Sequence, residues 1–165
     1  MSLVKLRDGS LDSPWPRLSA DDAVPAEGAV LVPLSRWLSD REALLKRADA
    51  VGVWLAPGQG PEDFGPEGIA GLSVIALHFP VFSDGRHYSV ARILREQLGY
   101  RGELRATGDV LTDQIRFLVR CGFDALETKH QLSLERIRAL SSPARPAYQS
   151  AADGSVPGWA ARAGR

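Results

Sequence analysis

Short apolar runs alternate with longer amphipathic segments from residue 29 onward. Each run has the length of a buried strand, and the segments between runs carry apolar residues at helical spacing. This alternation is typical of repeated strand–helix units around a parallel sheet. The pattern predicts strands at 29–34, 51–55, 72–79, 103–107 and 123–127, and helices at about 35–48, 61–71 (weak), 90–98, 110–121 and 133–140.

The number of predicted units limits the architecture. A complete eight-unit barrel typically needs about 250 residues, and the chain has 165. We therefore expect one α/β domain over residues 29–142, with a mostly parallel sheet of about five strands. Two arrangements fit, an open doubly wound sheet and an incomplete barrel, and we prefer the first. Residues 1–28 predict an irregular N-terminal arm with at most a short strand and with Trp15 packed on the body of the domain. The Ala-, Gly-, Ser- and Pro-rich residues 143–165 predict a flexible C-terminal tail.

Charge and composition exclude several classes of partner. The 20 basic and 20 acidic side chains cancel, so we expect neither a nucleic acid nor a membrane surface as partner, since both need a basic excess on one face. No apolar run approaches the roughly 20 residues that span a bilayer, and the first residues lack a secretory signal. A lone cysteine, Cys121, excludes an internal disulfide. We expect a cytoplasmic protein, and an exposed sheet edge favours a homodimer.

Candidate chemistry follows the third and fourth predicted strands, at the edge where parallel sheets bind ligands. The stretch 80–89 is the most polar of the chain. Arginines and a serine near a helix start can bind an oxyanion through charge, hydroxyl and backbone N–H groups. The anion-binding candidates are Arg86, Ser89, Arg92 and Arg105, and the candidates for proton transfer are His87 and Asp109. The alternative is that Asp84 caps a helix, Tyr88 packs and the arginines are solvated.

Metal and cofactor signatures are absent from the sequence. Asp109 and Asp113 lie one helical turn apart, which suits a carboxylate pair but more often stabilises a helix start. The three histidines have no metal-ligand spacing, and His78 at the end of an apolar strand indicates a packed side chain. The chain has no dinucleotide fingerprint, phosphate loop or nucleophile elbow. We therefore predict neither a metal site nor a bound cofactor.

Two stretches resemble a known family. The first is Phe-Ser-Asp-Gly-Arg-His-Tyr-Ser at 82–89, followed by further arginines at 92 and 95. The second is Gly-Tyr-Arg-Gly-Glu-Leu-Arg-Ala-Thr-Gly-Asp-Val-Leu at 99–111, continuing to Arg-Cys-Gly-Phe-Asp at 120–124. Together they resemble the bacterial domain-of-unknown-function family number nine-three-four, whose genes commonly lie beside those of assimilatory sulfite reductase. The resemblance implies a role in sulfite reduction and supplies no catalytic residues.

Two functions from different classes fit these observations. The first hypothesis is an accessory protein of assimilatory sulfite reduction, which binds the sulfite reductase or its electron donor around the polar stretch. The alternative is an enzyme, an oxidoreductase acting on a sulfur oxyanion or a sulfonucleotide, with Arg86, Arg92 and Arg105 binding the substrate. A sensor of a sulfur metabolite is the third and weaker hypothesis.

Overall fold

A computed structural model describes residues 2–65, 68–128, 133–141, 148, 151–152 and 155–163. The described strands are β1 (Ser2–Lys5), β2 (Leu11–Asp12), β3 (Val30–Pro33), β4 (Val51–Leu55), β5 (Val74–Phe79), β6 (Glu103–Gly108) and β7 (Ala125–Thr128). The described helices are α1 (Leu34–Leu45), α2 (Arg86–Arg92), α3 (Ile115–Arg120), α4 (Leu134–Ser141) and α5 (Gly158–Ala163). Short 3-10 turns cover Pro61–Phe64 and Thr112–Gln114, and a π turn, Ile93–Gln97, continues α2.

All seven described strands form one sheet in the order β2-β1-β7-β6-β5-β4-β3. Strands β3 to β7 are parallel, so the predicted α/β class and mostly parallel sheet are confirmed. The expected count of about five strands is corrected to seven, because β1 and β2 add an antiparallel pair beside β7. Both extra strands lie in the segment that we expected to be irregular.

The strand order also corrects the expected winding. Strands β3 to β7 follow one another across the sheet in chain order, with no reversal. Right-handed crossovers between successive neighbours place every connecting helix on the same face, whereas a doubly wound sheet reverses its order and carries helices on both faces. The sheet is open, and its order is that of the second arrangement, an incomplete barrel.

The main core lies between the sheet and its helices, and we call this side the helix face. Strand β5 contributes Ile75 and Leu77, and the helices contribute Trp37, Leu94 and Leu118, all fully buried. Burying a side chain of this size contributes about 1.5–3 kcal/mol. With 26 buried residues in one contiguous cluster, this layer supplies most of the apolar burial.

The N-terminal arm covers the opposite side of the sheet, which we call the arm face. Residues 16–18 run along the edge strand β3, where Leu31 N donates to Pro16 O (2.9 Å) and Leu18 N donates to Leu31 O (2.8 Å). Trp15 and Trp54 pack here against a small buried cluster of Leu31, Val74 and Ala76. The arm therefore replaces the second layer of helices that a doubly wound sheet would have.

Helix α2 begins earlier than the sequence pattern predicts. We expected a helix from Val90, and it begins at Arg86. The earlier start turns His87, Tyr88 and Ala91 toward the core, where all three are buried. This shift decides which of the polar residues of the stretch 80–89 face solvent.

The C-terminal region contains ordered contacts as well as residues that the structure does not describe. Ala152 N donates to Arg120 O (2.9 Å), and α5 lies within the segment predicted to be a flexible tail. Residues 143–147, 149–150, 153–154 and 164–165 of that prediction lie outside the described residues. In the part of the chain that the structure describes, no helix has the length and apolar character to cross a membrane.

Candidate functional site

The loops that follow β5 and β6 are tied together at the carboxyl edge of the sheet. Asp109 N donates to Phe79 O (2.8 Å), and Phe82 N donates to the Asp109 carboxylate (3.2 Å). Gln114 Nε2 closes the arrangement by donating to Phe82 O (2.8 Å). Asp109 therefore acts as an anchor for the preceding loop, and its carboxylate is exposed.

Arg86 and Asp84 form a bidentate ion pair on the outer rim of this edge. Nε of Arg86 lies 2.9 Å from Asp84 Oδ1, and its Nη2 lies 2.6 Å from Oδ2. The hydrogen bonds from Arg86 lower the pKa of Asp84 to about 2. The remaining nitrogen, Nη1, extends over Gly58, where a Cβ would lie 3.4 Å from it. Arg86 thus keeps one outward-facing donor, with 60% of its side chain exposed.

His87 lies inside the protein and does not face a ligand at the rim. It is 2% exposed, and its ring meets Phe79 edge-to-face at a centroid distance of 5.8 Å. Its Nε2 has no hydrogen-bond partner among the described residues. Burial lowers the pKa of His87, so the ring is neutral at neutral pH. A proton-transfer role would require the surrounding loop to open.

The four anion-binding candidates lie on different sides of the molecule. Arg92 pairs with Glu96 one turn further along the helix (2.9 Å) and, like Ser89, is exposed. Arg86 lies at the start of the same helix. Arg105 lies on the arm face, because it is in register with Ala76 of β5, whose side chain belongs to that face. The structure does not bring Arg105 together with the other three residues.

Arg105 belongs to a polar cluster on the arm face that the sequence reasoning did not assemble. Its side chain is 1% exposed, its Nε donates to Glu103 Oε1 (2.8 Å), and Trp15 lies against its guanidinium at 5.3 Å. Arg17 from the arm lies 4.3 Å above the Trp54 ring. The sequence did contain a signal for this cluster. Glu103, Arg105 and Thr107 are spaced two residues apart on one predicted strand, and residues at this spacing share a face of the sheet.

An exposed apolar group stands beside the Asp84–Arg86 pair. Val81, Phe82 and Phe117 are 50%, 52% and 53% exposed. The ring of Phe117 packs against Tyr88 with a centroid distance of 4.6 Å. Phe117 lies one helical turn after Gln114, the residue that donates a hydrogen bond to the backbone of Phe82. We call these three apolar residues, together with Asp84 and Arg86, the rim surface. Exposed aromatic side chains on neighbouring segments are typical of a surface that binds a partner.

A cleft of about 690 Å³ lies at the opposite, amino edge of the parallel strands. Arg7, Arg95, Arg101 and Arg138 line it together with Asp124. Arg95 is saturated by backbone carbonyls and Asp124. The described part of the chain holds no group of three or more histidine, cysteine or acidic residues arranged for a metal ion.

Cys121 is predicted to be unreactive in the folded protein. Its side chain is 2% exposed, and burial raises the pKa of the thiol to about 11, from a usual value of 9.0. Because the thiolate is the nucleophile, this shift alone slows alkylation by about 100-fold near pH 8. Iodoacetamide labelling followed by mass spectrometry should show slow modification of the native protein and rapid modification in urea. Equal rates in the two conditions would show that the thiol is accessible.

The chain is an α/β protein with a singly wound sheet, an exposed aromatic rim surface and a polar cluster beneath an N-terminal arm. The sequence model of one family, described as bacterial protein of unknown function (DUF934), matches residues 52–159. The chain belongs to this family, as the resemblance of residues 82–124 indicated. The match includes the rim surface and Arg105, while Trp15 and Arg17 precede it. No curated protein and no solved structure matches the chain.

Proposed function

We propose that this protein is a non-catalytic accessory component of assimilatory sulfite reduction, which docks on the sulfite reductase through the rim surface. The observation that carries the docking role is the exposure of two aromatic side chains, Phe82 and Phe117, on segments that the hydrogen bond from Gln114 to Phe82 O joins at the carboxyl edge of the sheet. The link to sulfite reduction rests on the resemblance to the family whose genes commonly lie beside those of the reductase. The electron donor of the reductase is the second partner to test.

The polar groups of the same edge support docking over catalysis. Asp84 and Arg86 neutralise each other, Asp109 accepts a backbone hydrogen bond, and His87 is buried. A general acid or base must reach the proton that it transfers, and His87 is not presented for this. A paired charge beside an apolar patch is instead typical of the border of an interface, where a polar rim surrounds an apolar centre.

Binding of the purified reductase tests this role. The double variant F82A/F117A is expected to weaken binding by about tenfold or more, because large aromatic side chains dominate interface energies. L38A is the matched control, since Leu38 is another half-exposed apolar residue (49%) but lies on α1. Equal affinities of wild type and F82A/F117A for both the reductase and its electron donor would refute docking through the rim surface.

One observation favours the enzyme alternative, and one variant separates the two functions. Arg86 keeps its Nη1 above Gly58, where it can reach a substrate oxyanion. Arg86→Ala is expected to leave the protein folded, because the side chain is exposed. If the protein is an enzyme, this variant loses turnover of a sulfur oxyanion or sulfonucleotide. If it is a docking protein, wild type and variant both lack turnover, and the variant binds the reductase more weakly.

Growth of a deletion strain tests the pathway assignment separately from the surface. We expect growth on sulfide and on cysteine, and impaired growth on sulfate and on sulfite. Complementation by the wild-type gene should restore growth, and the F82A/F117A gene should restore it poorly. Full growth of the deletion strain on all four sulfur sources would remove the pathway assignment.

A further inference from the structure

The arm face contains a buried arginine whose hydrogen-bonding capacity is incompletely used. Arg105 is 1% exposed, and its Nε is satisfied by Glu103. Its Nη1 is buried and has no hydrogen-bond partner among the described residues. Buried polar groups in native proteins are almost always paired, and an unpaired charged donor is the costliest exception. An occupant that accepts hydrogen bonds and carries negative charge would satisfy it.

The strand neighbours of Arg105 have short side chains. In the register of the sheet, Arg105 is flanked by Ala76 on β5 and by Ala125 on β7, two of the smallest side chains. Trp15 covers the guanidinium at 5.3 Å. An arginine stacked on an aromatic ring keeps the N–H groups at its edge available for an anion.

A second cation and two neutral polar side chains lie on the same face. Arg17 from the arm stacks on Trp54 at 4.3 Å and acts electrostatically on His78. His78 Nδ1 lies 3.3 Å from Thr107 Oγ1, at the carboxyl ends of β5 and β6. Thr107 is 3% exposed and lies two residues after Arg105, on the same face of the strand. Because Thr107 and the neutral His78 ring share one hydrogen bond, the pair has one proton left to donate, and together with two guanidinium groups it forms a donor set suited to an oxyanion.

Acidic and basic side chains of the arm face near Arg105 are equal in number, and Arg17 is the cation that forms no ion pair within 4.0 Å among the described residues. Glu103 is shared by Arg105 and Lys5, so one carboxylate serves two cations. Asp12 lies 3.9 Å from Lys5, at the outer edge of the sheet. Glu127 acts electrostatically on Arg17 without forming an ion pair within 4.0 Å among the described residues. Glu127 therefore competes with an anion for Arg17.

We propose that the arm face binds a small oxyanion of the size and charge of sulfate, sulfite or phosphate, held by Arg105 and Arg17 with one hydrogen bond from the Thr107–His78 pair. Trp15 closes over the bound anion. This site goes beyond the proposed docking role and is independent of it, because it lies on the opposite side of the sheet from the helices that carry the rim surface.

Tryptophan fluorescence of the full chain gives a direct test, since Trp15 and Trp54 both stack on the arginines of the site. Sodium sulfate, sulfite and phosphate are titrated separately against sodium chloride at matched ionic strength. We expect a saturable change of emission with at least one oxyanion and none with chloride, and W15F should remove most of the change. Stronger binding of sulfate or sulfite than of phosphate would identify a sulfur oxyanion as the ligand, and the reverse order a phosphate.

Four variants test the geometry, and two of them are expected to change the affinity in opposite directions. Arg17→Ala is expected to weaken binding by about tenfold, the effect of one lost charge-assisted contact. Glu127→Gln is expected to strengthen binding by about threefold, because it removes the competing carboxylate. Arg92→Ala removes one positive charge from the helix side and should leave the affinity unchanged. Arg105→Met should abolish binding, with its fold checked by circular dichroism.

A saturable response equal for chloride and the three oxyanions would overturn the proposal. So would equal weakening by Arg17→Ala and Arg92→Ala, since that result would indicate an effect of net charge alone. Weaker binding by Glu127→Gln would also contradict the arrangement. None of these results bears on docking of the reductase, which is measured with variants of Phe82 and Phe117.

Discussion

Replacing Gly108 by alanine is expected to reduce the free energy of unfolding by about 3–5 kcal/mol, combining backbone strain with overpacking. Gly108 ends β6 with a φ of 95°, a left-handed conformation that side chains disfavour. A Cβ at this position would overlap the carbonyl oxygen of Phe79 and lie 2.8 Å from His78 Cε1. The Phe79 carbonyl cannot withdraw freely, because it also accepts a hydrogen bond from Asp109 N (2.8 Å).

Gly28→Ala provides the matched control for this prediction. Gly28 has nearly the same backbone conformation, with a φ of 89°, and nothing lies within 4 Å of a Cβ built there. Its replacement should therefore cost only the conformational strain of about 1–2 kcal/mol. Urea unfolding of both variants isolates the steric part as their difference. Equal losses at the two positions would show that the contact with Phe79 relaxes at little cost.

Gly108 also connects the two faces of the molecule near the candidate sites. The missing side chain lets the His78 ring lie across the end of β6, and the following residue anchors the loop that carries Phe82. If Gly108→Ala folds at low temperature, it should weaken both reductase docking and oxyanion binding. This behaviour would differ from that of the surface variants, each of which affects one site.

The alternation of apolar runs and amphipathic segments predicted the parallel part of the sheet well, because each buried strand is marked by its own residues. Strand β4 has the predicted bounds, Val51–Leu55, and β6 extends the prediction by one residue to Gly108. The winding was not predictable in the same way. Strands β4 and β5 are apolar on both faces, which is also the pattern of a doubly wound sheet. What distinguishes the two arrangements is the strand order, and the arm face is covered by Trp15 and Trp54 where a doubly wound sheet would carry helices.

The arm was expected to hold at most one short strand, and the position of the first strand was not predicted, for a related reason. Ser2–Lys5 is four residues long, and its alternation of Leu3 and Val4 with polar neighbours is too short to give a period. It is ordered by pairing with β7, where Leu3 lies opposite Glu127 and Lys5 opposite Ala125. This contact joins the two ends of the described domain, so no local pattern could indicate it.

The sequence predicted which residues lie near the carboxyl edge better than it predicted how their side chains are oriented. The polar stretch does lie at the carboxyl edge, and Arg86 is exposed there. The orientation of His87 depended on where α2 begins, because a start at Arg86 turns residues 87, 88 and 91 inward. Arg105 was selected for its charge, and its location on the arm face follows from the register of β6 with β5.

Arg95→Met is expected to reduce the free energy of unfolding by about 3 kcal/mol, because buried acceptors would lose a charged donor. Its Nε donates to Gly122 O (3.0 Å), and its Nη1 donates to Tyr100 O (2.7 Å) and Gly102 O (2.8 Å). Nη2 pairs with Asp124, whose carboxylate also accepts Leu104 N (2.8 Å). The Arg95 side chain thus joins the turns before β6 and β7 to the π turn that continues α2.

Arg92→Met tests whether the destabilisation expected for Arg95→Met comes from the lost hydrogen bonds of Arg95 or would follow the removal of any arginine from this part of the chain. Arg92 lies three residues earlier, is 47% exposed and pairs with Glu96 at the surface. Exposed pairs of this kind contribute at most about 0.5 kcal/mol, so Arg92→Met should unfold almost as wild type does. Urea denaturation of the two variants should therefore differ by more than about 2 kcal/mol, the cost of leaving the carbonyls without a donor. If Arg95→Met were as stable as Arg92→Met, water would be replacing the guanidinium at those carbonyls, and the cleft would be wetter than its contacts indicate.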